Sequence, residues 1–206
     1  MKKIVLFDFD GVLVDSYDYS YRISKELSPK LTEDIFRELF EGNIYDGFEK
    51  FDGEEIDPSD DPFYKAATPI LMQTAPIAGV PEMLKTVNQN HTLIVLSSTI
   101  SNPIGEYLKK YNLAHYFDAI MGGDVHKSKE RKIHMIFEKY VADPADCIFV
   151  TDTLGDMKEA AKCSVKSIGV TWGFHEKERM EKGEFFAFVD SVQQIPEAVN
   201  TYFANV

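Results

Sequence analysis

Lys3-Ile4-Val5-Leu6-Phe7-Asp8-Phe9-Asp10-Gly11-Val12 is the stretch on which the reading of this chain turns. Ile4 to Phe7 are apolar without a break, the signature of a strand covered on both faces. The run then meets two aspartates and a glycine. Side chains alternate along a strand, so Asp8 and Asp10 share one side if the strand continues. Two carboxylates that close repel each other, and a cation, a shared proton or solvent must relieve them. Gly11 lets the backbone turn sharply. Alone, an Asp-x-Asp after a strand reads as a pair of solvated acids. Other stretches have to supply matching parts.

Outward from this stretch, more buried strands follow. His91-Thr92-Leu93-Ile94-Val95-Leu96 ends in Ser97-Ser98-Thr99, and 117–121 is stopped by Gly122-Gly123. A fourth strand, 147–150, ends in Thr151-Asp152, and a fifth covers 165–170. Helices are predicted between them. Val80, Met83, Leu84 and Val87 recur at helical spacing, as do Ile104, Tyr107, Leu108 and Tyr111 after Asn102-Pro103. Ser128 caps a helix that turns Ile133, Ile136, Phe137 and Tyr140 inward. Further helices cover 156–163 and the segment after Pro196. Strands alternating with helices predict an α/β fold, a doubly wound, mainly parallel sheet with helices on both faces. Ligands of such sheets gather outside the carboxyl ends of the strands. Asp8, Asp10, Ser97, Ser98, Thr151 and Asp152 all occupy such ends.

Residues 16–76 break the alternation. They are rich in aromatic and acidic residues and carry no buried strand. Tyr17, Tyr21, Ser24 and Leu27 follow helical spacing. Thr32 caps a helix with Ile35, Phe36, Leu39 and Phe40 on its inner face. Residues 46–61, interrupted by Gly47, Gly53 and Pro58, read as acidic turns, and another helix covers about 62–73. The expectation is an all-helical domain at 16–76 inserted into a core of 1–15 and 77–206, its aromatics forming the core of a small bundle.

The 206 residues are 44% hydrophobic and 27% charged, with a net charge of −12. That balance argues against nucleic acid or an anionic membrane as partner, since both reward clustered Lys and Arg. It leaves room for a small phosphorylated molecule, because one metal ion and one lysine reverse the local field. No run of about 18 apolar residues suggests a membrane span. Asp8 and Asp10 interrupt any signal-peptide core. Cys147 and Cys163 show no metal or redox spacing and read as buried fillers, which fits a reducing cytoplasm. Oligomeric state does not read out, and none of the five histidines joins a motif.

The chemistry follows from the residue types. Three or four carboxylates around one point suit Mg²⁺, a hard ion that takes oxygen ligands and keeps several waters. A hydroxyl and a lysine suit phosphate oxygens. A carboxylate beside phosphorus can attack it, while a second one protonates the leaving oxygen and then activates water.

These residues resemble the haloacid dehalogenase superfamily, on its phosphatase branch. Its first motif matches Asp8-Phe9-Asp10-Gly11-Val12-Leu13-Val14-Asp15-Ser16, and its second Ile94-Val95-Leu96-Ser97. Its third is a lysine within His126-Lys127-Ser128-Lys129-Glu130, and its fourth matches Phe149-Val150-Thr151-Asp152-Thr153-Leu154-Gly155-Asp156. The resemblance implies a Rossmann-like core with a helical cap after the first strand, and a Mg²⁺-dependent phosphatase that hydrolyses a small phosphorylated metabolite through an aspartyl phosphate. It implies Asp8 as nucleophile and metal ligand. Asp10 becomes general acid and base and a ligand through its carbonyl. Ser97 and a lysine bind the phosphoryl group, Asp152 binds Mg²⁺, and Asp156 orients it. Two departures stand out. Thr151 occupies a position that is often Gly, and no proline follows the lysine, so Lys127 and Lys129 compete. Lys129 is preferred because a first helical turn would hold it. Two other readings stay open. One is a phosphosugar mutase of the same superfamily, for which Arg22 and Arg37 are the only arginines of the insert. The other is a non-catalytic phospho-signalling module, although such modules place adjacent acids, not Asp-x-Asp, on the first strand.

Overall fold

A computed structural model describes residues 3–53 and 62–205. Its one sheet is built from β1 (Lys3–Phe7), β2 (His91–Leu96), β3 (Phe117–Met121), β4 (Cys147–Thr151), β5 (Lys166–Val170) and β6 (Ala187–Val189). The strands lie in the order β3-β2-β1-β4-β5-β6, and every neighbouring pair is parallel. The α/β class read from the sequence is therefore the fold, with one short edge strand more than expected. β1 sits in the middle, which explains its unbroken apolar run. Val5 and Phe7 pack with Leu93, Val95, Ile148 and Val150 on one face, while Ile4 and Leu6 pack with Ile94, Leu96 and Phe149 on the other. α5 (Val80–Asn88), α6 (Ser101–Lys110) and α10 (Ile195–Ala204) cover the first face, and α7 (Lys129–Tyr140) and α8 (Leu154–Lys162) the second.

The chain runs outward from β1 through β2 to β3, then returns to the other side of β1 and continues through β4. That reversal opens a crevice at the carboxyl ends of β1 and β4, where Asp8 and Asp152 stand. No helix among the described residues is long and apolar enough to cross a membrane.

Between β1 and α5 lie α1 (Tyr17–Leu27), α2 (Glu33–Leu39), α3 (Ile44–Asp52) and α4 (Pro62–Leu71). Two expectations need correction here. Residues 44–52 form a helix, not turns. Asn43 caps it, its Oδ1 accepting from the Tyr45 N–H at 3.1 Å and the Asp46 N–H at 3.4 Å. Gly47 lies inside this helix because α2 comes too close for a side chain. A Cβ there would stand 2.9 Å from the Leu39 carbonyl oxygen. The rest of the predicted acidic turn, 54–61, lies outside the described residues. α1 forms over the residues whose spacing predicts it, burying Tyr19, Ser20, Ile23 and Ser24 and leaving Leu27 52% exposed. The buried face is set by α4, whose Ala67 and Leu71 join Tyr19 and Ile23 in the main core, while Tyr17 and Tyr21 turn to Phe36. The other correction is that α8 starts at Leu154, capped by Thr153, two residues before the start expected at Asp156.

A smaller apolar cluster joins Leu31, Phe36 and Leu39 to Phe174, which comes from the loop after β5. The Phe174 ring stands edge-on to Tyr17 and Phe40, with centroids 5.2 and 4.9 Å away. α9 (Lys177–Met180) follows that loop.

Candidate active site

Asp8 comes directly after β1 and extends its pairing, the Asp8 N–H donating to the Val150 carbonyl at 2.9 Å. Its carboxylate is held at both oxygens. Oδ1 accepts from the Phe9 N–H at 2.7 Å, and Oδ2 from Lys129 Nζ at 2.8 Å. Lys129 opens α7, where the Ser128 hydroxyl caps the helix by accepting from the Arg131 N–H. The same Nζ donates to Asp156 Oδ2 at 2.6 Å, and Thr151 Oγ1 donates to that oxygen too, at 2.6 Å. Lys129, not Lys127, thus reaches the aspartates. Lys127 Nζ lies 5.9 Å from the centre of the Tyr45 ring.

β1 stops before Asp10, so the shared strand face expected for the two aspartates does not form. The chain instead makes a tight turn in which the Leu13 N–H donates to Phe9 O and the Gly11 N–H to Val14 O. Asp8 and Asp10 still line the same cleft. Asp10 Oδ2 accepts from Thr99 Oγ1 at 2.7 Å. Gly11 has φ +70°, and a Cβ on it would fall 1.9 Å from Asp152 Oδ2. The turn is therefore open to glycine alone on both counts. Ser97 follows β2, is buried, and accepts from the Thr99 N–H at 3.0 Å. Asp152 is 1% exposed. Its Oδ2 accepts from the Phe174 N–H at 2.7 Å, and its Oδ1 is buried without a hydrogen-bond partner.

The electrostatics follow from this arrangement. Burial pushes the Asp8 carboxyl well above the ordinary range against the pull of Lys129, and the neighbouring Asp156 and Asp152 add to the rise. Burial raises Asp10 as well, and brings Asp152 up to about 7. For Asp156, burial is outweighed by Lys129 and by hydrogen bonds, so its carboxyl stays below the ordinary value. Burial alone would lower the Lys129 ammonium, but Asp156 and Asp8 hold it above.

Asp8, Asp152 and Asp156 thus face one ammonium, and one buried carboxylate oxygen has no partner. A hard divalent cation fits that deficit. Among the described residues no three acidic, imidazole or thiol side chains form a ready ligand cage. The set implied by the resemblance needs none, being two carboxylates, Asp8 and Asp152, with the Asp10 carbonyl and water.

Several contacts were not legible in the sequence. Lys132, 0% exposed, donates to the Ser97 carbonyl at 2.6 Å and to the Gly122 carbonyl at 3.2 Å. Glu159 accepts from Ser128 Oγ and the Lys129 N–H, both at 3.0 Å, and so places a negative charge at the start of α7. Both lie one helical turn beyond a motif residue, the only signal that could have marked them. The Nδ1 of His175 accepts from the Leu154 N–H at 3.0 Å, so its Nε2 carries the proton and donates to the Arg37 carbonyl at 2.9 Å. Arg37 Nη1 donates to the Phe174 carbonyl at 2.6 Å. The hydroxyls of Tyr45 and Tyr64 both donate to the Ser98 carbonyl, at 2.5 and 3.0 Å. Above these groups opens a cleft of about 520 Å³, floored by strand ends and walled by α1 to α4.

Comparison with known proteins points the same way. The profile of the haloacid dehalogenase-like hydrolase family matches residues 5–170. A probable phosphatase, IndB, from Dickeya dadantii is 27% identical over 220 residues, covering 97% of this chain and 94% of that protein. A phosphoglycolate phosphatase from Vibrio vulnificus strain YJ016 is 27% identical over 221 residues, covering 96% of each. A crystal structure described as a predicted phosphatase from Clostridium acetobutylicum superposes with a TM-score of 0.80 at 23% identity, covering 98% of this chain and 99% of that one. The profile spans most of the chain, from β1 to β5. This chain belongs to the haloacid dehalogenase-like hydrolase family, and it is an enzyme of the phosphatase branch.

Proposed function

We propose that the protein is a Mg²⁺-dependent phosphatase that hydrolyses a small phosphorylated metabolite through an aspartyl phosphate on Asp8. The observation that carries this reading is the buried Lys129 ammonium, 2.8 Å from Asp8 and 2.6 Å from Asp156. It holds one Asp8 oxygen in place on the cleft floor and adds positive charge where phosphoryl oxygens would collect. When bound by Asp8, Asp152 and the Asp10 carbonyl, Mg²⁺ would neutralise phosphoryl oxygens as a Lewis acid.

Asp8 attacks phosphorus as its carboxylate, forming an O–P bond as the ester O–P bond breaks. Asp10 gives its proton to the departing alkoxide. The upward shift of the Asp10 carboxyl by burial favours the protonated form this step needs. The Asp10 carboxylate then takes a proton from water, the resulting hydroxide attacks phosphorus, and the Asp8–phosphorus bond breaks. Inorganic phosphate leaves with both aspartates restored. Ser97 and Lys129 hold the phosphoryl oxygens throughout.

The helices of residues 16–76 serve in this reading as a cap that closes over the cleft and excludes bulk water. Two buried free thiols, Cys147 and Cys163, accord with a reducing compartment. The names of relatives raise phosphoglycolate as one candidate ester. A mutase would need a cation to grip a second phosphate, yet Arg37 is engaged with Phe174 and Glu33.

Phosphate release under multiple turnover tests the proposal. EDTA should abolish it, and Mg²⁺ but not Ca²⁺ should restore it, because the looser Ca²⁺ shell misplaces the attacking oxygen. Asp8→Asn should lower kcat by at least about 10³-fold. Asp10→Asn should lower it by about 10²–10⁴-fold and accumulate acid-stable phosphoprotein. Wild-type turnover by Asp8→Asn would overturn the assignment of the nucleophile.

A further inference from the structure

We infer that the alcohol released by this phosphatase is uncharged and carries a flat ring, as in a nucleoside or an aryl alcohol, and is not a short carboxylated alcohol. This rests on the reading of the site given above and extends it to the substrate.

Charge comes first. Among the described residues that line the cleft, Lys129 is the only cation, and it is already bonded to Asp8 and Asp156. The remaining charged lining groups are all acids. Beyond the four motif aspartates these are Asp52 and Glu159, contributed by α3 and α8. Of the basic residues near the walls, Lys127 stands 5.9 Å from the centre of the Tyr45 ring, and three on or between α1 and α2 are turned to other duties. Lys25 donates to the carbonyls of Pro29 and Leu31, Lys30 pairs with Asp52, and Arg37 is bound to Phe174. Residues 54–61, Glu-Glu-Ile-Asp-Pro-Ser-Asp-Asp, contain no lysine or arginine. Apart from the one lysine that the phosphoryl group already engages, the charged groups a carboxylate on the leaving alcohol would meet in the described lining are all acids, an arrangement that burial penalises.

The walls show what fits instead. α3 and α4 contribute the half-buried Phe48 and Phe63 to the lining, faces against which a planar ring can stack. Ser20 and Ser24, one turn apart on α1, add hydroxyls to the same lining, uncharged groups able to meet the hydroxyls or amides of a substrate. The volume of about 520 Å³ falls within the range of roughly 300–1,000 Å³ that encloses ring-bearing small molecules.

The test is a substrate panel with the full chain and Mg²⁺. It compares thymidine 5′-monophosphate and 1-naphthyl phosphate with 2-phosphoglycolate and 3-phosphoglycerate, and includes acetyl phosphate as a ring-free reporter of a competent Asp8. We expect kcat/KM for at least one ring ester to exceed that of both carboxylated esters by at least 100-fold. The nucleotide and naphthyl arms distinguish a nucleoside from a simple aryl alcohol. Turnover of acetyl phosphate with equal or better use of the carboxylated esters would overturn the inference and leave the phosphatase reading standing. No phosphate release from any of the five would bring down both.

Discussion

Asp152 binds the Phe174 N–H with one oxygen and leaves the other buried and unpartnered. That single atom is where the need for a cation is most sharply localised. Filling it should stabilise the fold, because a ligand that binds only the folded state adds stability by mass action. At about one hundred times its dissociation constant, Mg²⁺ should add about 2.7 kcal/mol. For a chain of this size that is a rise in Tm of about 5–10 °C. Differential scanning fluorimetry reads it directly, and Asp152→Asn should remove most of the shift. A wild-type protein whose Tm ignores Mg²⁺ would refute the cation deficit. At this scale the sequence was informative because a strand end is marked by local pattern alone. Asp8, Asp10, Ser97 and Asp152 each follow an apolar run. Thr99 and Lys132 escaped because their partners, Asp10 and Ser97, are 89 and 35 residues away. Nothing local separates Lys132 from a lysine on a wet helix face.

Among the elements, α7 carries two lysines inward one turn apart, each with a different task. Lys129 faces carboxylates, whereas Lys132 faces only carbonyl oxygens. Burial, reinforced by the Lys129 charge, pushes the Lys132 ammonium down to about 7, while an unfolded chain holds its lysines near 10.4. Between these values the unfolded chain binds the extra proton, so this lysine weakens the fold increasingly as pH falls from about 10 to about 7. Lys132→Met should therefore gain stability relative to wild type over that interval as pH is lowered, which urea unfolding at pH 7, 8 and 9 would measure. A difference that is flat with pH would contradict the shift. The same substitution removes the donor that holds the Ser97 carbonyl, so kcat should fall even where stability does not. α3 and β6 show why elements were misread. Two glycines and a run of acids argue locally against a helix, and it took the close approach of α2 to make Gly47 acceptable. β6 has three residues and pairs on one side only, too little pattern to register.

For the molecule as a whole, the alternation of strands and helices was enough to give the sheet, since each crossover is short and local. Of the docking of the inserted helices on the core, the aromatic residues after β5 were legible as packing for the base of the site or the hinge of the insert, whereas the bonds from Tyr45 and Tyr64 to the Ser98 carbonyl were not, since 53 and 34 residues separate the partners. Phe174 is an apolar part of that joint, packed against Tyr17, Phe36 and Phe40. Phe174→Ala should cost about 3–5 kcal/mol. The loss should appear as a lower urea midpoint and as a rise in KM, since the cleft walls would lose their fixed seat. An unchanged KM in a folded variant would show that the insert is seated elsewhere.

Phe174 also has a consequence for communication. Its amide hydrogen is on Asp152, its carbonyl is on Arg37 of α2, and its ring is wedged among the aromatic residues of the insert. One residue thus spans the distance between an ionisable oxygen and the roof over it. A displacement of Asp152 would therefore be felt first at the Phe174 amide and, through its carbonyl and ring, at α2.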